Sequence, residues 1–391
     1  MQIQKKYASS VTLLTAGHFF NDFYNNFLPP LLPLLTTNLN ISLTSAGLLI
    51  LLYSFTSSIL QPFCGYFIDK KGYSWLILLT LPAGALFMCF VGFAPNFFTL
   101  AILVALSGLG SSVFHPLGST LTNKVTPTHN KGVLMSLFIA GGNVGFAVAP
   151  VCVVLFLIKF GITSLPWLIA PSIILALIYY FHGLHRINIV NVSQITEAVP
   201  WYKSSSLIKL NAVMALRAWI QTALPNFLPL LLATEGHPPT LAGTMITVFL
   251  ISGACGGFIG GWLNDKLGRK TCIVTLLTVC VPALIYFISN REITPLSWAM
   301  LIISGIALQG VMPSSIVWAQ DIIPHSAAMV SGMMLGLSFG LGGASVAITG
   351  AAADIIGLRS ALLWTVAPLA LAVIIAVTIP LKEKSIADAP S

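Results

Sequence analysis

Residues 65–74, GYFIDKKGYS, recur 196 residues later as GWLNDKLGRK, residues 261–270. Each copy closes a long apolar run with a short charged turn. Gly72 and Gly268 let the chain turn tightly. Asp69 and Asp265 can pair with nearby cations or face helix N-termini, and the basic residues Lys70, Lys266 and Arg269 mark the face of the turn. Two more stretches repeat in the same order. SGLGSSVFHP (107–116) aligns with SGIALQGVMP (304–313) at an offset of 197, and AGHFFNDFYNNFLPPLL (16–32) aligns with LRAWIQTALPNFLPLLL (216–232) at an offset of 200. Three matches at nearly one offset predict a chain built twice.

The repeated unit belongs to a membrane. Of 391 residues, 57% are hydrophobic and 7% charged, against about 25% charged in soluble domains. Apolar stretches of about twenty residues run from end to end, the length that spans a bilayer as helix. The alternating pattern of an outer-membrane barrel is missing. The expected spans are 10–35, 46–68, 75–93, 97–121, 132–157, 164–185, 209–232, 240–263, 272–289, 295–320, 328–352 and 360–380. Lys5 and Lys6 precede the first run, which is long and polar-spotted and reads as a retained helix.

Charge placement supports that set. With both termini cytoplasmic, fourteen of the eighteen Lys and Arg fall on the cytoplasmic side, three fall outside, and Arg217 remains within a span. This is the positive-inside bias. The net charge of +8 and pI near 9.2 therefore report orientation rather than a nucleic-acid partner. The expected organisation is an N-terminal six-helix bundle over 1–186, a polar cytoplasmic linker over 187–206 and a C-terminal six-helix bundle over 207–391. The six cysteines lie in or beside apolar segments without a CxxC pair, so they read as small packing residues.

Charged and polar residues inside such spans are costly, about 2.5–3.5 kcal/mol for a mid-span acid. They are therefore the candidate functional residues. His18, Asp22, Asn25 and Pro29 fall on one stripe of the first span. Asp22 is neutral when protonated and strongly hydrated when ionised, which suits a proton carrier, and His18 one turn away can share its proton. Arg217 lies in the seventh span, with Gln221 one turn on. It can balance an anionic substrate, pair with Asp22, or snorkel to the interface. His115 shares a stripe with Ser111 and Ser119, and its repeat partner is Met312, so the fold does not demand histidine there. Asn143 sits among Gly141, Gly142 and Gly145, where small residues let helices approach and an amide can bond across them or meet substrate. Gln61 and Pro62 predict a kink in the second span. Tyr53, Trp219 and Trp318 are aromatic candidates for a pocket wall.

GWLNDKLGRK fits the G-x-x-x-D-K/R-x-G-R-K/R loop of the major facilitator superfamily at every position, while the first copy carries Tyr73 and Ser74 in place of the two basic residues. The chain thus resembles that superfamily. HFFND (18–22), LQPFCGY (60–66), GSSVFHP (110–116) and GGNVG (141–145) further resemble the fosmidomycin-resistance family of bacterial efflux proteins. GFAVAP (145–150) is similar to the superfamily's antiporter motif, with Ala149 for its second glycine. The resemblance implies an all-α fold of twelve transmembrane helices in two pseudo-symmetric bundles, and proton-coupled export across the bacterial inner membrane. It implies gating roles for Asp69, Lys70, Gly72, Asp265, Lys266, Gly268 and Arg269.

The expected function is therefore a secondary active transporter that exports a drug-like or anionic small molecule by alternating access. Asp22 and His18 are expected to couple protons. Arg217, His115, Asn25, Gln221 and Asn143 are expected to meet substrate. No cofactor or metal is expected, and the chain is expected to act as a monomer. The nearest alternative is a proton symporter that takes up an organic anion or metal chelate. An enzyme is disfavoured because no HExxH, paired-carboxylate or nucleophile motif occurs, and ATP-driven transport because no G-x-x-x-x-G-K-[ST] stretch occurs. A channel or signalling scaffold is disfavoured by the six-plus-six repeat.

Overall fold

A computed structural model of the protein describes residues 2–126, 131–189, 202, 204–323, 330, 333–334 and 338–380. Among them the chain is helical, without strands. The helices are α1 (Gln2–Asn25), α2 (Leu28–Leu39), α3 (Leu43–Ser54), α4 (Gln61–Lys71), α5 (Ile77–Cys89), α6 (Phe97–Val125), α7 (Lys131–Phe160) and α8 (Ala170–His182). After the linker come α9 (Ser205–Thr234), α10 (Pro239–Leu267), α11 (Arg269–Ser289), α12 (Pro295–Ile322), α13 (Ser338–Ile356), α14 (Leu358–Trp364) and α15 (Val366–Thr378).

Several expected spans are broken. The first divides at Asn26–Phe27, and Pro29 and Pro30 open α2. Proline has no N–H to donate and its ring crowds the preceding turn, so one helix stops and another begins with proline in its first turn. Pro29 therefore leaves the stripe on which His18, Asp22 and Asn25 remain. The second span holds a π-helical turn, Phe55–Ile59, just before Gln61 and Pro62; the kink lies there and begins earlier than expected. The last span breaks at Thr365. Among the described residues nine helical stretches are long and apolar enough to cross a membrane, with Gly340–Ile356 a shorter apolar one. The nine do not include α1 and α9, which carry the charged candidates Asp22 and Arg217.

The chain forms two units. The first comprises residues 1–41, 49–194 and 232–247, and the second 42–48, 195–231 and 248–391. In the first, α1 lies against α7 through glycines. A Cβ on Gly145 would stand 2.0 Å from the Phe19 carbonyl oxygen, and one on Gly141 would meet Thr15. The contact leaves no room for a methyl group. Gly145→Ala is expected to cost about 1–3 kcal/mol by overpacking, read as a lower melting temperature in detergent; an unchanged value would refute this packing. Below the contact a core forms around Leu14, Leu81, Phe114, Leu117 and Tyr179. The Tyr179 hydroxyl donates to the Leu13 carbonyl at 2.9 Å.

In the second unit Gly256 and Gly260 of α10 face the backbone of Ile306 and Gly310 on α12. The repeat is visible in these contacts. Gly108 lies against Thr56 in the first unit, and Gly305 against Ser252 in the second; the offsets are 197 and 196. The start of α3 belongs to the second unit. There the N–H groups of Leu43 and Thr44 donate to the Asp354 carboxylate at 2.9 and 2.8 Å. This caps free N–H groups of α3 with an acid from α13.

The turns of the duplicated motif behave as glycine requires. Gly72 caps α4 in the left-handed region with φ 68°, and Gly268 has φ 79° before α11. Arg269 pairs with Asp321 in the last turn of α12. Lys270 Nζ donates to the Ile379 carbonyl at 2.8 Å, and Lys266 lies 4.2 Å from the Trp262 ring centroid. Asp265 is exposed. The side chains of Asp69 and Lys70, and residues 190–201 and 203 of the linker, lie outside the described residues.

Candidate functional site

α1, α3, α6 and α7 of the first unit converge on one polar cluster. His18, Asp22 and Asn25 share a face of α1, as three- and four-residue spacing dictates. His18 Nε2 is 3.3 Å from Asp22 Oδ2. His115, from α6, brings its Nε2 to 3.3 Å from Asp22 Oδ1. The Asn25 amide donates to Asp22 Oδ1 at 3.2 Å and to Ser111 Oγ at 2.8 Å. Of the expected site residues, His18, Asp22, His115 and Asn25 thus come together.

Three further residues complete the cluster. The Asn21 amide donates to Asp22 Oδ1 at 2.9 Å and also approaches Ser111 Oγ and His115 Nε2, each at 3.3 Å. The Tyr53 hydroxyl, from α3, donates to Asn25 Oδ1 at 2.5 Å. Asn21 lies off the stripe, so helical spacing did not select it. Ser111 was visible only as a stripe-mate of His115, and Tyr53 only as one aromatic among several. The side chains of Asp22 and His115 are 13% and 25% exposed, so the cluster is largely enclosed.

A carbonyl decides the protonation of His18. Its Nδ1 lies 2.8 Å from the Phe138 carbonyl oxygen. An oxygen of this kind only accepts, so Nδ1 carries a hydrogen. Nε2 of the neutral ring is then a lone pair aimed at a carboxylate. His115 Nε2 lies 3.3 Å from both the Asn21 amide nitrogen and Asp22 Oδ1, so the tautomer of this ring decides whether it accepts from the first or donates to the second. The His18 arrangement repels unless a cation lies within it: a proton on His18 Nε2 or Asp22, or a metal ion. With one proton the group of His18, Asp22 and His115 has no net charge; without it the charge is −1. Among the described residues these three offer ligand atoms within 4.8 Å of one another.

α7 closes over the cluster. A Cβ on Gly142 would meet His18 Nε2 at 2.5 Å and Asp22 Oδ2 at 2.6 Å, and the Phe138 ring stacks on His18 with centroids 4.2 Å apart. The glycines around Asn143 therefore serve the approach of α7, whereas Asn143 itself is exposed and makes no part of the cluster.

The second unit holds a different polar group on the equivalent helices. Arg217 of α9 is fully buried. It donates to the Leu308 carbonyl and lies 3.3 Å from Met312 Sδ, both on α12. Leu308 and Met312 are the repeat partners of Ser111 and His115 at the offset of 197. The guanidinium does not snorkel, since no solvent reaches it. Its Nε has no hydrogen-bond partner, and no carboxylate pairs with it among the described residues. Gln221 donates to Gln309 Oε1 at 2.6 Å, leaving its own Oε1 without a partner. A buried cation with one carbonyl and one thioether for company can accept an anion. Trp219, a candidate for a pocket wall, instead donates to Thr349 Oγ1 at 2.8 Å.

Comparison with known proteins agrees with this architecture. The family model described as Major Facilitator Superfamily matches residues 14–347 and 210–389. The chain is 28% identical over 352 residues to the uncharacterized MFS-type transporter YfnC of Bacillus subtilis (strain 168), covering 87% of this chain and 85% of that protein. It is 26% identical over 359 residues to the fosmidomycin resistance protein of Escherichia coli (strain K12), again covering 87% and 85%. Its fold matches the inward-facing, unoccupied structure of a bacterial homolog of the human lysosomal transporter Spinster. The TM-score is 0.79 at 17% identity, over 95% of this chain and 96% of that one.

Proposed function

We propose that this chain, which belongs to the Major Facilitator Superfamily, is a proton-coupled carrier that exports a drug-like or anionic small molecule. It is a multi-pass membrane transporter with efflux-related relatives; the coupling ion, the substrate and the direction are the proposal. We place it in a bacterial inner membrane with both termini cytoplasmic, on the positive-inside bias of its loops.

One observation carries the reading: a carboxylate faced by the His18 Nε2 lone pair, an arrangement that needs a proton or another cation between them. Asp22 binds the proton together with His18. Phe138 holds the imidazole in one tautomer, while Asn21 and Asn25 hold the carboxylate. The neutral, protonated group sits comfortably inside a membrane protein; the ionised one costs about 2.5–3.5 kcal/mol unless water or substrate compensates. Proton binding and release therefore bias which face of the membrane the site opens to. Arg217 supplies the opposite preference, for a substrate with an anionic group. The fosmidomycin resistance protein makes fosmidomycin, a phosphonate, the first probe. A carrier of this kind needs no enzymatic step.

Reconstituted into vesicles with an imposed pH gradient, the protein is expected to move labelled fosmidomycin or a related organic anion against the proton flux. Movement in the same direction as protons would favour symport. Flux indifferent to the gradient would refute proton coupling.

A further inference from the structure

We propose that His18, Asp22 and His115 form a binding site for one divalent transition-metal cation of the zinc class. The sequence carries no metal motif, because the ligands come from two helices 93 residues apart, His115 being far from Asp22 along the chain. The inference shares its residues with the proton-coupled reading but does not depend on transport.

Distance is the first argument. A charge-assisted N–H···O bond settles at about 2.7–2.9 Å. Here both imidazole nitrogens stand 3.3 Å from the carboxylate, one at each oxygen. With metal–ligand bonds of about 2.0–2.1 Å, neighbouring ligand atoms around a tetrahedral zinc are separated by about 3.3–3.4 Å. Each N···O separation matches the length of one coordination edge, with the two imidazoles on opposite oxygens of the carboxylate. All three ligand atoms lie within 4.8 Å of one another, and the His18 and His115 rings stand edge to face with centroids 5.1 Å apart.

Tautomer and support are the second. Metal-binding histidines commonly donate their other ring N–H to a carbonyl or carboxylate, which fixes the ring and points a lone pair at the metal. His18 does this through Nδ1 and Phe138. Asn21 and Asn25 donate to Asp22, and Ser111 anchors Asn25, so the carboxylate is held as well. Two imidazoles and a carboxylate suit zinc, cobalt or nickel rather than magnesium or calcium, which take oxygen ligands. Three protein ligands leave a position open for water, so the ion is exchangeable.

The full-length protein, purified in detergent and stripped with a chelator, is titrated with Zn2+ by calorimetry and with Co2+ by visible absorbance at fixed pH. The expected result is one equivalent bound, with the weak spectrum of hydrated Co2+ replaced by the intense bands of a four-coordinate site. His18→Ala and His115→Ala are each expected to weaken binding at least tenfold. His182→Ala, which alters a histidine on α8 bonded to Ser10, leaves it unchanged. Absence of saturable binding, a wild-type Co2+ spectrum without four-coordinate bands, or equal affinity in a folded His115→Ala protein overturns the proposal. No gradient or substrate is involved, so this outcome is separate from that of the vesicle assay.

Discussion

Asp22→Asn is expected to reduce proton-driven transport to background while leaving the protein folded. Asparagine is nearly the same size. Its carbonyl can still accept from Asn21 and Asn25, which lie 2.9 and 3.2 Å from the carboxylate oxygen. Its amide can donate to the lone pair of His18 Nε2, now at 3.3 Å from the other oxygen. The variant thus imitates the protonated group permanently. Exchange of labelled for unlabelled substrate across the membrane, which needs no net proton movement, is expected to continue; uphill movement driven by a pH gradient is not. Two measurements on the same vesicles separate these. Gradient-driven accumulation at the wild-type rate would show that Asp22 only lines a polar wall. Loss of both activities together with a lowered melting temperature would assign it to folding.

Arg217→Met is expected to do two opposite things. The guanidinium is fully buried, and its company is the Leu308 carbonyl and the Met312 sulfur. A buried charge without a counter-charge costs several kcal/mol, and apolar replacements at such positions are often stabilising by about 1–4 kcal/mol. Methionine is flexible and fills an irregular space well. The melting temperature in detergent is therefore expected to rise. Transport of an anionic substrate is expected to fall to background, because the cation proposed to receive the anion is gone. A residue retained at a cost to stability is retained for another reason, and this pair of readouts tests that directly. A fall in stability with unchanged transport would make Arg217 a packing residue. Arg217→Lys is not a neutral exchange either, since lysine lacks the planar fork that reaches both Leu308 and Met312.

These two predictions rest on residues of equivalent helices, at different positions and different in chemistry. On α6, His115 meets the acid of α1 and Ser111 accepts from the Asn21 and Asn25 amides beside it. Their partners Leu308 and Met312 on α12 meet the arginine of α9. The α6 and α12 positions match, but at the offset of 200 Asp22 aligns with Thr222 and Arg217 with Gly17, so the fold accounts only for the shared faces of α6 and α12. It does not account for a carboxylate in one and a guanidinium in the other. That division of labour suits a carrier that handles a proton at one group and an anion at the other.

Local patterns in the chain already determined much of this. Apolar length predicted membrane helices, because a bilayer demands about twenty such residues. The duplicated GYFIDKKGYS predicted the repeat, and the Gly108–Thr56 and Gly305–Ser252 contacts show it in space. The stripe of His18, Asp22 and Asn25 followed from 3.6 residues per turn, which ties together neighbours on one helix. Periodicity says nothing about which residue of a distant helix stands opposite. Only the tertiary structure brought His115 to Asp22 and Ser111 to Asn25, turned the Phe138 carbonyl toward His18 and gave Tyr53 to Asn25, since these are contacts across 28 to 120 residues. The same is true of Arg217: the sequence placed a charge in a span, but burial against α12, set by how two helices pack, decided that it does not reach water.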